Sequence, residues 1–175
     1  MRSPRSHSVR DLTCTWVFAI LVSATPAFAQ SSLTEFSGHW SGRGSDRDLP
    51  FHALQPTLCR MTVKADGRHL NTETECNGAA GLHKRIRFSA TSTGNTFNGR
   101  VEQSSSVRGS GQPAKRRAGK LTGTRAGDTA EFEISFPGLT PNAYVVLSLT
   151  SQNSFSMRTS VLGVALMDVE FHRGR

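Results

Sequence analysis

Cysteine, tryptophan and tyrosine are scarce in this chain, and the signatures of common enzymes are missing. Its 175 residues include three cysteines, two tryptophans and one tyrosine. The sequence contains no G-x-S-x-G nucleophile elbow, no H-E-x-x-H zinc motif and no phosphate-binding P-loop. It also contains no C-x-x-C pair of the redox or metal-binding kind. These absences predict a protein that is not an enzyme, with no catalytic residue, no cofactor and no metal ligand.

Carboxylate and histidine side chains, which could act in catalysis or metal binding, are present but scattered along the chain. The chain has two glutamate pairs, Glu73/Glu75 and Glu131/Glu133. If each pair lies on a strand, its two members stand about 7 Å apart, which is near the separation of the two acids in glycosidases. Apolar residues occupy the opposite parity, so we predict that both pairs face solvent, as does the loop run Asp46-Arg47-Asp48. The histidines beyond residue 30 have no close ligand spacing: His39, His52, His69, His83 and His172.

No apolar run is long enough to cross a membrane as a helix, which takes about 20 residues. The longest, Leu12 to Ala24, has 13 residues and follows three arginines in the first ten positions. Small residues at Ala27 and Ala29 then provide a signal-peptidase site. We therefore predict a helical signal peptide at residues 1–29, cleaved before Gln30. The alternative interpretation of this segment is a membrane anchor.

Signal cleavage would leave residues 30–175 as the mature protein, with a different net charge and cysteine content. Residues 30–175 have the length of one domain and no stable membrane span, and the net charge falls from +8 to +6. The predicted location is periplasmic or secreted. There the two remaining cysteines, Cys59 and Cys76, should form a disulfide, because that compartment is oxidising.

Basic residues outnumber acidic residues by 21 to 13. They cluster at Lys84-Arg85-Arg87 and Lys115-Arg116-Arg117, without aromatic residues between them. Export and the lack of aromatic residues beside these clusters disfavour a nucleic-acid partner. We therefore interpret both clusters as solvated faces and predict no nucleic-acid partner.

Alternation of apolar and polar residues with period two recurs after residue 36, with turn signals between the runs. This pattern predicts an all-β fold of about 8–10 antiparallel strands, which close as a barrel or pack as a sandwich. We favour a small up-and-down barrel, because closure removes exposed strand edges. In the hairpin around Asp66-Gly67, placing Ala65 opposite Leu70 puts Cys59 opposite Cys76.

The order of several short motifs resembles a family of small exported bacterial proteins of unknown function. They open with an F-x-G-x-W-x-G-x-G strand, here Phe36 to Gly44. A C-R hairpin and a second cysteine follow, here Cys59-Arg60 through Cys76, and then stretches like 97–102 and 118–123. This chain departs from the pattern in its long loop between Gly44 and Cys59. The resemblance implies a lipocalin-like β-barrel and brings no activity or site residues.

The G-x-W of the first strand, Gly38 to Trp40, also resembles the first-strand signature of lipocalins. In that group the tryptophan closes one barrel end and an arginine of the last strand stacks on it. The resemblance implies that Gly38, Trp40 and Arg173 have this structural role here. The alternative is an ordinary buried aromatic residue in a strand.

Three functions remain open. The first is an exported, non-enzymatic barrel that binds a small apolar ligand or an envelope protein. Its cavity would measure several hundred Å³, and ligand binding should change the fluorescence of Trp40. The second is a protease inhibitor, since the chain resembles the alkaline-protease-inhibitor type, with Gln30 to Glu35 as the inhibitory segment. The third is a structural interaction protein of the envelope. The oligomeric state is left open.

Overall fold

The computed structural model describes residues 33–47, 49–79 and 81–174. The predicted signal peptide of residues 1–29, with Ala27, Ala29 and Gln30 at its cleavage site, lies outside the described residues.

A short 3-10 helix, Leu33–Phe36, precedes ten strands. The strands are β1 Gly38–Asp46, β2 Gln55–Ala65, β3 His69–Gly78, β4 Leu82–Thr93, β5 Thr96–Val107, β6 Lys115–Ala126, β7 Thr129–Ser135, β8 Ala143–Ser151, β9 Ser154–Val161 and β10 Val164–Arg173.

The ten strands form one closed antiparallel barrel in which each strand pairs with its neighbours in sequence. The last strand closes the ring on the first, with Trp40 opposite Arg173 and Asp46 opposite Met167. This confirms the predicted up-and-down barrel and rules out the sandwich. In the described part of the chain, no helix has the length and apolar character needed to cross a membrane.

Three strands extend into stretches whose composition is typical of loops. The segment between Gly44 and Cys59 was expected to be a loop, but β1 continues to Asp46 and β2 begins at Gln55. The Ser- and Gly-rich stretch from residue 104 also continues β5 to Val107, paired with β4. Closing the barrel explains these extensions, because backbone groups that would be left unpaired find partners on a neighbouring strand.

The hairpin of β2 and β3 has the predicted register. Ala65 lies opposite Leu70, and Cys59 lies opposite Cys76. The two cysteines form a disulfide with a Cα–Cα distance of 4.1 Å, and both side chains are buried. The predicted disulfide is therefore confirmed as a link between neighbouring strands.

The two ends of the barrel differ in their connections. At the end near the 3-10 helix, called here the closed end, the turns are short: 66–68, 94–95, 127–128 and 152–153. The opposite end, called here the open end, has three long loops: 47–54, 108–114 and 136–142. The tight turns at 79–81 and 162–163 complete the open end.

Aromatic side chains fill the half of the barrel near the closed end. Phe155 stacks on Phe171 with ring centroids 4.9 Å apart and meets the edge of Trp40 at 4.8 Å. Phe97 and Phe132 pack beside them at 5.3 Å from each other. This half of the interior is therefore a solid apolar core.

Candidate ligand cavity

The half of the barrel near the open end contains a cavity of about 320 Å³. Buried side chains form its floor: Phe88, Val101, Val145, Met157 and Met167. Nearer the mouth the inward positions carry shorter side chains, including Ser105, Ala143 and Thr159. The cavity exists because these residues do not reach across the barrel as the aromatic residues do at the other end.

The cavity wall is polar on one side and apolar on the other. Strands β4 to β6 contribute Lys84, Gln103, Ser105 and Arg117. These polar residues are neighbours across the sheet, with Lys84 opposite Ser105 and Gln103 opposite Arg117. Strands β7 to β9 and the loop after β7 face them with mainly apolar residues: Ile134, Phe136, Ala143, Val145, Met157 and Val161. The cavity is therefore amphipathic.

A buried ion pair lies at the polar side. Lys84 Nζ donates to Asp46 Oδ1 at 2.7 Å, and the two side chains are 7% and 2% exposed. The same ammonium group lies 3.4 Å from the carbonyl oxygen of Arg47. The predictions that Asp46 and Lys84 are solvated were wrong. Both residues stand at inward-facing positions of strands that extend to the open end, so their charges meet inside the barrel.

Two charged residues of the described chain line the cavity, Lys84 and Arg117, and both are cations. Lys84 is neutralised by Asp46, whereas no ion pair joins Arg117 to another described residue. Arg117 lines the cavity and is an exposed residue. Loop residues that include Leu49, Leu139 and Leu162 complete the mouth.

At the closed end the structure brings Gly38, Trp40 and Arg173 together. Arg173 lies over the Trp40 ring at 4.3 Å from its centroid. Trp40 Nε1 donates to the Phe36 carbonyl at 2.8 Å, and Arg173 donates to the carbonyls of Ser37 and Glu35 at 2.6 and 2.7 Å.

Gly38 leaves room for this arrangement. Its φ is +138°, and a Cβ atom there would stand 2.8 Å from Arg173 Nη1, so a side chain would displace the guanidinium group. None of Gly38, Trp40 and Arg173 lines the cavity. A ligand in this cavity would therefore not contact Trp40, and the effect of binding on Trp40 fluorescence stays a prediction.

The glutamate pairs lie on the outer face of the barrel. Glu73 and Glu75 meet Arg87 and Arg85, with Arg85 Nε 2.7 Å from Glu75 Oε1. This hydrogen bond lowers the pKa of Glu75. Glu133 accepts a hydrogen bond from Asn142. Among the described residues, no group of three His, Cys, Asp or Glu side chains is placed to hold a metal ion.

Two larger depressions lie outside the barrel interior. One, of about 520 Å³, runs over the outer face of β4 to β6 between Arg85 and Arg116, and Gln103 and Arg117 border both this depression and the interior cavity. The other, of about 510 Å³, lies at the closed end beside Glu35 and Arg173. Charged and polar side chains line most of both, so the interior cavity is the apolar one.

A cavity of several hundred Å³ was expected for a ligand-binding barrel, but the residues that line it were not predicted, although the strand pattern contained a signal. Gln103, Ser105 and Arg117 stand at the parity of Val101 and Leu121, which are buried. When polar residues occupy the inward-facing positions of a strand, they indicate that the interior at that level holds water or a cavity instead of a packed core.

No protein-family model matches the chain, and no curated protein matches it. Among solved structures, the chain is similar to a redesigned β-barrel, with 14% identity and a TM-score of 0.41. The match covers 83% of this chain and 100% of the designed one.

Proposed function

We propose that this protein is an exported, non-enzymatic barrel that binds a small apolar ligand in the cavity at its open end. The observation that carries the proposal is the cavity itself, about 320 Å³ in volume with an apolar floor. Ligand pockets in proteins start at about 300 Å³ and are mostly apolar with a few polar groups. The Cys59–Cys76 disulfide is compatible with export.

The protease-inhibitor alternative receives less support. It needs a free, extended segment before the first strand. Leu33–Phe36 instead form a 3-10 helix, and Arg173 donates a hydrogen bond to the carbonyl oxygen of Glu35. The described part of that segment is therefore held against the closed end.

A cavity-filling substitution tests the binding proposal. Ala143 lines the cavity, whereas Ala118 lies on the outer face of β6. Ala143→Trp should fill part of the cavity, and Ala118→Trp is the matched control. Binding is measured by titration with N-phenyl-1-naphthylamine, an uncharged apolar dye whose fluorescence rises in apolar sites.

The wild-type protein and Ala118→Trp should bind about one dye per chain, and Ala143→Trp should bind at least about tenfold more weakly, a loss of about 1.4 kcal/mol. Circular dichroism confirms that each variant is folded. Absence of saturable binding to the wild type, or equal binding to both variants, would contradict the proposal. The mass of the purified exported protein tests export separately, since it should begin at Gln30.

A further inference from the structure

Among the described residues that line the cavity, the charged side chains are all of one sign. They are Lys84 and Arg117, and no described carboxylate lines the wall. Because Lys84 is bound to Asp46 at 2.7 Å, that pair contributes little net charge to a ligand. Of the described residues that line the cavity, Arg117 is then the cation that no ion pair neutralises.

Arg117 is suited to hold an anionic group. Its guanidinium fork matches carboxylate and phosphate oxygens, with which it forms paired hydrogen bonds. Gln103 lies directly across the sheet from Arg117, and Ser105 follows on the same strand. The amide and hydroxyl groups of these two residues are further hydrogen-bond donors. Polar donors thus cluster on one side of the mouth, while the floor is apolar.

We propose that the ligand is a single-chain anionic amphiphile, with its alkyl chain in the cavity and its acidic head at Arg117. This inference rests on the proposed function and adds the chemical class of the ligand. Dodecanoate and dodecyl phosphate represent the two head groups that this chemistry would accept. Dodecanol, which has the same chain without the charge, is the neutral comparison.

The test measures displacement of N-phenyl-1-naphthylamine by each of the three compounds. Dodecanoate or dodecyl phosphate should bind at least about tenfold more tightly than dodecanol. Arg117→Gln should remove most of this advantage and leave dodecanol binding unchanged. Arg116→Gln is the matched control, because Arg116 is the adjacent arginine and lies on the outer face. It should behave like the wild type, and the better of the two anions identifies the preferred head group.

Results that contradict the anionic class of the ligand differ from results that contradict ligand binding in the cavity. Equal affinities for the anions and dodecanol, with no effect of Arg117→Gln, would overturn the anionic class and leave the cavity function standing. Equal losses in Arg116→Gln and Arg117→Gln would also overturn it, because they would show only general attraction to a positive surface. Failure of the dye and all three compounds to bind would refute the proposed function itself.

A second observation concerns the outer rim of the open end. Nine large apolar side chains are exposed in the described chain, and seven of them lie in the open-end loops or in the strand residue next to a loop. The other two are Tyr144, the second residue of β8, and Leu58, the fourth residue of β2. Phe51 is 79% exposed and Leu162 is 75% exposed. The short turns described at the closed end carry no such residue. Exposed apolar groups clustered in this way mark an interaction surface.

The same rim is positively charged. Arg108 lies in the loop 108–114, and Lys115 and Arg116 begin β6 beside it. Asp48 is the one acidic residue that the sequence places in the open-end loops. Apolar tips surrounded by arginine and lysine match the surface of an anionic bilayer, which offers an apolar interior beneath negative head groups.

We infer that the open end docks on an anionic lipid surface. The test is co-sedimentation with vesicles of phosphatidylglycerol and phosphatidylethanolamine, compared with vesicles of phosphatidylcholine alone. The wild-type protein should bind the anionic vesicles at least about tenfold better, and binding should weaken with salt. Phe51→Ser combined with Leu162→Ser should abolish binding. Arg68→Ser, which removes a cation at the closed end, is the control and should have no comparable effect.

Three results would overturn the docking surface. The first is equal sedimentation with both vesicle types. The second is an equal loss in Arg68→Ser and in the double variant. The third is absence of vesicle binding together with a dimer in sedimentation velocity that Phe51→Ser and Leu162→Ser disrupt, since a second copy would then cover the rim.

Discussion

The buried pair of Lys84 and Asp46 gives the sharpest prediction about stability. Their charged atoms are 2.7 Å apart, and both side chains are more than nine-tenths buried. Removing one partner leaves the other charge in a poorly solvated place, which in proteins costs about 3–5 kcal/mol. We therefore expect Lys84→Met and Asp46→Asn each to lower the free energy of unfolding by about 3–5 kcal/mol.

The double variant separates charge pairing from packing. Replacing both partners removes the stranded charge, and such replacements are often close to neutral. Asp46→Asn combined with Lys84→Met should therefore lose less stability than either single variant, which corresponds to a coupling energy of at least about 3 kcal/mol. Substitution of Arg85, the outward-facing neighbour of Lys84, provides a control. Its ion pairs are exposed, and such pairs contribute only about 0–1 kcal/mol to the free energy of unfolding.

Urea unfolding followed by circular dichroism measures these quantities. Equal m-values across the four proteins would show that the unfolded surface is unchanged. The reasoning would be refuted if each single variant lost less than about 1 kcal/mol, because the pair would then behave as a solvated surface pair. A coupling energy near zero would refute it as well. Either result would also remove the argument that Lys84 is neutralised within the cavity.

Three further predictions concern the rest of the barrel. Arg173→Ala should cost about 1–3 kcal/mol, because it removes a cation–π contact and two hydrogen bonds to carbonyls; an unchanged urea midpoint would contradict this. Replacing Cys59 and Cys76 with Ala should cost about 3 kcal/mol in the chain-entropy model, and equal stability with and without reductant in the wild type would speak against it. Because Arg85 lowers the pKa of Glu75, the pair should stabilise the fold above the ordinary glutamate pKa and lose this effect as pH falls through the lower, folded value. Glu75→Gln should flatten that acid dependence of the urea midpoint, and an identical pH profile would exclude the assignment.

The strands and one register were predictable because both follow from local patterns. Alternation along β2 puts Cys59, Met61 and Val63 inside, and the turn at Asp66-Gly67 fixes the pairing of β2 with β3. The disulfide follows from that pairing. All three features depend only on a strand and the strand that follows it in the sequence.

The cavity and the ion pair were not predictable in the same way. Asp46 and Lys84 are 38 residues apart and belong to strands that are not neighbours in the sheet. Their contact depends on closure of the barrel, which brings inward side chains of non-adjacent strands together. The cavity likewise depends on how far the opposing side chains reach across the interior. The apolar rim gathers loops separated by more than a hundred residues, such as those of Phe51 and Leu162.

Native mass spectrometry tests the central claim, that the open end holds one small apolar ligand, most directly. The wild-type protein and Ala143→Trp are each incubated with dodecanoate and dodecanol and then transferred intact to the gas phase. The account predicts a one-to-one complex for the wild-type protein and mainly unliganded Ala143→Trp. Unliganded wild-type protein, or complexes that form equally with both proteins, would contradict it.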